Sequence, residues 1–248
     1  MSVASTFETE SADGVNWLTL NRPERLNAIN QPMAEQLLSF FEDRRRDADT
    51  RIIIMAGFGR AFCSGADLKA GGQPDQLRDG PNGDWTLRDV MRSMRACPQP
   101  IICLVQGAAA GGGLAFALAS DIIIAGESAT FHPAFIKIGL SGTELGVSWR
   151  LQRTIGLSKA REMLLTGRPM NATEALRTGL VSQVVPDSDL RATAQSLVDD
   201  MLKAAPDALR ISKRSFDTSL EIASFDAAME YEERGQIQMI RQGRAQRN

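Results

Sequence analysis

Three short runs, Ile52-Ile53-Ile54-Met55-Ala56, Ile101-Ile102-Cys103-Leu104-Val105 and Ile122-Ile123-Ile124-Ala125, carry no polar residue at all. Strands that alternate apolar with polar residues have one wet face; unbroken apolar runs of this length suit strands covered on both faces. Helical patterning separates them. Residues 85–95 and 114–119 read as helices, and residues 32–48 place Met33, Leu37, Leu38 and Phe41 at helical spacing ahead of the 51–56 strand. With one more strand at 15–20, the order strand, helix, strand, helix predicts an α/β core with right-handed crossovers.

From about residue 158 the patterning is helical only, over 160–165, 172–178, 190–204 and 207–220, which predicts a second, helical layer. Residues 71–83, rich in Gly, Pro and Asp, read as a surface loop. The chain of 248 residues is long enough to bury a core of its own. Its formal charge of -2 gives no net attraction to nucleic acid or an anionic membrane, and Arg44-Arg45-Arg46 reads as the solvated face of a helix. Cys63, Cys97 and Cys103 lack paired spacing, and the first residues form no secretory signal, so a reducing cytoplasm is expected. No apolar run reaches membrane-spanning length.

Residues 61–69 and 107–115 share a design in which a buried strand ends, small residues follow and a helix begins. The first amides of a helix have no internal partner and carry the positive end of its dipole, so such a turn can donate to an oxygen bearing negative charge. One donor from each loop would make an oxyanion hole, with the N–H of Ala66 as the asset of the first. The same glycines also suit tight turns and close helix packing. Rival motifs are absent: residues 107–113 do not match G-x-G-x-x-G, no G-K-[ST] follows a glycine loop, and Gly139-Leu140-Ser141-Gly142 falls short of a nucleophile elbow. The single histidine, His132, would have to carry any metal site or Ser-His-Asp relay alone, and reads as structural.

Several segments then carry a family likeness. They are Leu20-Asn21-Arg22-Pro23 with Leu26-Asn27-Ala28, Ala61 to Leu68, Gly107 to Gly113 with Ser120-Asp121-Ile122, Leu165-Thr166-Gly167, Ala172 to Ala175, and Gly179-Leu180-Val181. In order and spacing the chain resembles the enoyl-CoA hydratase/isomerase, or crotonase, family over nearly its whole length. The resemblance implies an α/β spiral of ββα repeats over residues 1–157, holding an acyl-CoA site, and a helical region over 158–248 that associates chains into homotrimers or hexamers. It implies acyl-CoA thioesters as substrates, no metal and no redox cofactor, CoA entering as part of the substrate. The oxyanion donors fall on the amides of Ala66 and Gly112, beside Gly111. Arg25, Ala28, Ser64, Asp67 and Leu68 fall on the CoA path, although Asp67 could equally cap a helix; Ala134 and Leu140 are expected among the substrate-binding residues, in a pocket that Phe131, Ala134, Leu140 and Trp149 line around Glu144.

One departure from that family stands out. The two positions where a typical hydratase of the family carries glutamates hold Ala115 and Ala134. The remaining acid is Glu144, placed as in several family isomerases, and Ser141-x-x-Glu144 also reads as a capping box. One carboxylate suits proton transfer from C2 to C4 of a 3-enoyl-CoA better than addition of water. Hydration through Glu144 and a bound water, decarboxylation, thioester hydrolysis and non-catalytic acyl-CoA binding are the alternatives; RNA binding is disfavoured by charge. The C-terminal Gln242-Gly-Arg-Ala-Gln-Arg-Asn248 departs from the family's usual ending, which helps cover the CoA.

Overall fold

A computed structural model describes residues 5–68 and 86–245. The expected 71–83 loop and Trp85, the expected start of a helix, lie outside them. Strands are β1 (Phe7–Ala12), β2 (Val15–Leu20), β3 (Ile52–Gly57), β4 (Ile101–Val105), β5 (Ala108–Ala110), β6 (Ile122–Gly126), β7 (Thr130–His132), β8 (Met170–Asn171) and β9 (Gln183–Val185). Helices are α1 (Gln31–Arg44), α2 (Thr86–Ala96), α3 (Gly112–Ala119), α4 (Val147–Ile155), α5 (Leu157–Thr166), α6 (Ala172–Thr178), α7 (Leu190–Leu202), α8 (Pro206–Ser219) and α9 (Phe225–Ala245).

The larger sheet has the order β1-β2-β3-β4-β6-β9, parallel except for the β1-β2 hairpin, and the smaller runs β5-β7-β8. Two successive units place their first strand in the large sheet and their second in the small one: β4 with β5, followed by α3, then β6 with β7. That is the expected ββα spiral.

The apolar runs are covered on both faces, as their composition requires. Ile53, Met55, Ile101, Cys103 and Val105 face the core made with α1, α2 and α3, while Ile52, Ile54, Ile102 and Leu104 face Leu190, Ala194 and Val198 of α7. Helix α3, Gly-Gly-Leu-Ala-Phe-Ala-Leu-Ala, is buried on every side, as a helix without a polar face must be.

The expectation of helices alone beyond residue 158 is corrected. β8 and β9 lie there, and β9 extends the main sheet beside β6, so the sheet crosses the 157/158 division. β9 is three residues long and half-buried, too short to show a period. Helix α1 also ends four residues before the expected 48. Asp47 accepts hydrogen bonds from the Thr50 hydroxyl (2.6 Å) and from the amides of Asp49 and Thr50, taking the chain out of the helix. The Thr50 hydroxyl bond, ahead of the other contacts, holds the Asp47 pKa below its ordinary value despite the opposing effect of burial.

Asn27 fixes the register of the first glycine loop. Fully buried at φ 54°, it donates through Nδ2 to the carbonyls of Phe58, Ala61 and Phe62 (2.9, 2.9 and 3.1 Å) and accepts from the Arg22 amide at 2.8 Å. Asn27→Ala leaves these groups without their partner and puts in the left-handed region a residue that tolerates it less well than asparagine. A destabilisation of about 2–4 kcal/mol is expected in urea unfolding; a change below about 0.5 kcal/mol would remove Asn27 from this role.

Candidate active site

The loop after β3 is stitched down on two sides. Cys63 and Ala109 form a parallel bridge, with the Cys63 amide donating to Ala108 O (3.0 Å) and the Ala110 amide to Cys63 O (2.9 Å). On the other side the Ile29 amide donates to Gly65 O (2.7 Å) and the Asp67 amide to Ile29 O (2.9 Å). Between these bonds the N–H of Ala66 donates no hydrogen bond among the described residues. The second loop ends as Gly111, at φ 50°, gives its own amide to His132 O (3.0 Å) and caps α3. Gly112 is thus the first residue of α3, and its N–H has no acceptor within the helix. The loops touch at Gly65: a β-carbon there would lie 3.4 Å from the Gly112 nitrogen.

Ala66 and Gly112 line one small cavity of about 100 Å³, together with Ser64, Gly65, Leu68 and Gly111. The same cavity is lined by Ala134, Phe135, Leu140, Glu144 and Leu145. Among the described residues Glu144 is its one titratable lining side chain. Beyond Glu144 and Leu145, which border both spaces, a second cavity of about 630 Å³ opens against Ala115, Leu118 and Trp149. The two alanines at the departed positions therefore line different cavities that Glu144 borders, Ala134 the small one and Ala115 the large one.

The capping-box reading of Glu144 is corrected. α4 begins at Val147 after Gly146, so Glu144 precedes the helix. Ser141 Oγ accepts instead from the Thr143 amide at 3.2 Å, and among the described residues Glu144 Oε1 accepts only a 3.3 Å bond from the next amide, Leu145. Leu145 takes φ 52°, and a non-glycine residue held there is strained in the way residues at functional sites often are.

Three expected CoA-path residues, Arg25, Ala28 and Asp67, do not line the small cavity. Ala28 and Asp67 are buried, and the Arg22 guanidinium binds both, donating to the Ala28 carbonyl and pairing with Asp67 Oδ2 at 2.9 Å. The Arg25 carbonyl accepts from Ser64 Oγ at 3.3 Å. Sequence reading passed over Arg22, although it lies inside the quoted Leu20-Asn21-Arg22-Pro23 segment, and over Leu87 and Ile138 of the cavity wall.

His132 lines neither cavity; its Nε2 lies 2.9 Å from Thr130 Oγ1, and burial followed by the Lys137 charge lowers its pKa. Burial raises the Cys63 thiol to about 12, so it stays protonated. Among the described residues no group of three or more His, Cys, Asp or Glu is placed to hold a metal, and no helix is long and apolar enough to cross a membrane.

The sequence model of enoyl-CoA hydratase/isomerase matches residues 10–247. The chain belongs to the enoyl-CoA hydratase/isomerase family. It is accordingly an acyl-CoA enzyme of crotonase fold. Among its relatives in this family, a protein of Mycobacterium tuberculosis named a probable enoyl-CoA hydratase is 38% identical over 226 residues, covering 89% of this chain and 79% of the relative. The 1,2-epoxyphenylacetyl-CoA isomerase of Escherichia coli is 36% identical over 225 residues, 88% of this chain and 84% of its own. A crystal structure of a monofunctional enoyl-CoA isomerase from M. smegmatis superposes with a TM-score of 0.77 at 38% identity, covering 90% of this chain and 98% of that one.

Proposed function

We propose that this family member moves a double bond, converting 3-enoyl-CoA to 2-enoyl-CoA with Glu144 as its single acid/base. Support comes from the small cavity, whose lining holds Ala66 and Gly112 with one carboxylate, Glu144, and with Ala134 where a second could have been. Glu144 removes a proton from C2, and the electron pair spreads over C2 to C4 and the thioester oxygen. The N–H groups of Ala66 and Gly112 hold the resulting dienolate oxygen, each worth about 3 kcal/mol in such a hole. Glu144 then returns the proton at C4, leaving C2=C3. No water is consumed, and the carboxylate ends as it began.

Titration with acetoacetyl-CoA, whose thioester would place an enolate-like oxygen in the hole, tests this use of the site. Heat of binding and a raised melting temperature are expected; no heat and no thermal shift at about millimolar ligand would overturn it. Hydration of 2-enoyl-CoA by Glu144 and a held water is the second reading, favoured by the name of the M. tuberculosis relative.

We also infer that the chain assembles as a homotrimer or hexamer. Phe216 of α8 and Phe225, Met229 and Ile240 of α9 are all more than half exposed, an apolar surface of the kind buried between subunits. Light scattering is expected to return three or six chains per particle, and a stable monomer at micromolar concentration would contradict it.

A further inference from the structure

The larger cavity shares Glu144 and Leu145 with the small one and has a lining that is part apolar and part cationic. Ala115, Leu118 and Met91 line it together with Arg88, Arg92 and Arg95 of α2 and Arg150 of α4, and Arg92 is paired with Asp89. The guanidinium of Arg95 bonds Asp217, yet its Nη1 is buried with no hydrogen bond and lies 3.8 Å from Asp121 Oδ1. Asp121 is itself shared, since Lys213 Nζ lies 2.9 Å from its other oxygen. Arg150 is half-buried, and its guanidinium makes no hydrogen bond or ion pair among the described residues. Burial, then the charge of Arg150, lowers the pKa of Arg95, with Asp121 opposing, so the two cations act on each other across the space. Of the carboxylates on the wall, Asp217 pairs with Arg95, while Glu144 and the exposed Glu221 make no ion pair among the described residues, so Arg150 is the cation left without an anionic partner and Arg95 keeps one unsatisfied N–H edge.

A purely apolar acyl tail would strip water from these guanidinium groups and return no hydrogen bond, which is costly for charged groups. A carboxylate would accept from both, and guanidinium-carboxylate bonds are among the stronger hydrogen bonds available to a protein. We propose that the larger cavity receives an acyl tail ending in a carboxylate, bound by Arg95 and Arg150, so that the substrate is the CoA monothioester of a dicarboxylic acid. This rests on the acyl-CoA reading of the adjoining small cavity.

Calorimetric titration of the full chain with saturated ligands tests it without turnover. Glutaryl-, adipoyl- and suberoyl-CoA are compared with methyl-terminated acyl-CoAs of equal length, and acetyl-CoA serves as the tail-less control. At one length or more the carboxylate form is expected to bind about tenfold tighter, and Arg150→Met to reduce that ratio below about threefold. Equal affinity for both kinds of tail would overturn the proposal while leaving the acyl-CoA reading intact. Failure of every acyl-CoA to bind would overturn that reading and the proposal with it. A ratio unchanged in Arg150→Met, or a loss of acetyl-CoA affinity as large as the loss for the diacid, would show that Arg150 does not hold the tail. Should Arg150→Met fail to fold, the ratio in the native sequence decides alone.

Discussion

Glu144→Gln is expected to slow isomerisation of 3-enoyl-CoA by about 100-fold or more, the loss associated with removing a general acid/base. Its fold is expected to survive. The Glu144 carboxylate makes no ion pair among the described residues and accepts one 3.3 Å hydrogen bond from the Leu145 amide, which the glutamine carbonyl oxygen can also accept. Melting curves recorded beside the kinetics separate the roles: a large loss of rate with a small change in melting temperature supports proton transfer. A lowered melting temperature with undiminished turnover would make Glu144 a structural residue. The variant should still bind acetoacetyl-CoA, because the amides of Ala66 and Gly112 are untouched.

Gly65→Ala is expected to lower kcat/KM by about 10²–10³, comparable to removing one oxyanion donor. Gly65 sits at φ +89°, and a β-carbon would approach the Ala110 carbonyl oxygen to 2.7 Å. The two loops must then separate, and the separation is felt where Ala66 and Gly112 converge. Gly156→Ala is the control, since Gly156 has φ +82° with nothing within 4 Å of an added β-carbon. Both variants should lose about 1–3 kcal/mol of stability from backbone strain, but only Gly65→Ala should lose activity. Equal kinetic effects would mean that the separation of the loops is not what matters.

Much of the architecture was legible because the large sheet is built from runs buried on both faces. β4 was read to the residue: its apolar run stops against Pro100 and Gln106-Gly107. β1 escaped because Phe7–Ala12 is exposed over most of its length and shows no apolar face. β5 and β7 are three residues each, shorter than any period that could reveal them. α9 escaped for a different reason: Met229, Ile237 and Ile240 are exposed, so its apolar residues mark no stripe against this chain's own core.

At the site, small residues after buried strands were enough to mark the two loops that line the small cavity. The pairing of Arg22 with Asp67 was not readable, since the partners are 45 positions apart and neither position alone specifies the other. Nor could spacing decide the part played by Glu144. Ser141-x-x-Glu144 matches a capping box by letter, but the left-handed turn at Leu145 and Gly146 delays the helix to Val147 and frees the carboxylate to border the cavity.

One carboxylate lining the same cavity as two backbone donors is expected to favour a proton shift over the addition of water. The most direct measurement is the ratio of two kcat/KM values for the native protein, isomerisation of a 3-enoyl-CoA and hydration of the 2-enoyl-CoA of the same chain, in one buffer. Isomerisation is expected to be faster by about tenfold or more, a transition-state difference of about 1.4 kcal/mol. Hydration equal to or faster than isomerisation would contradict the account, even with Glu144 essential to both.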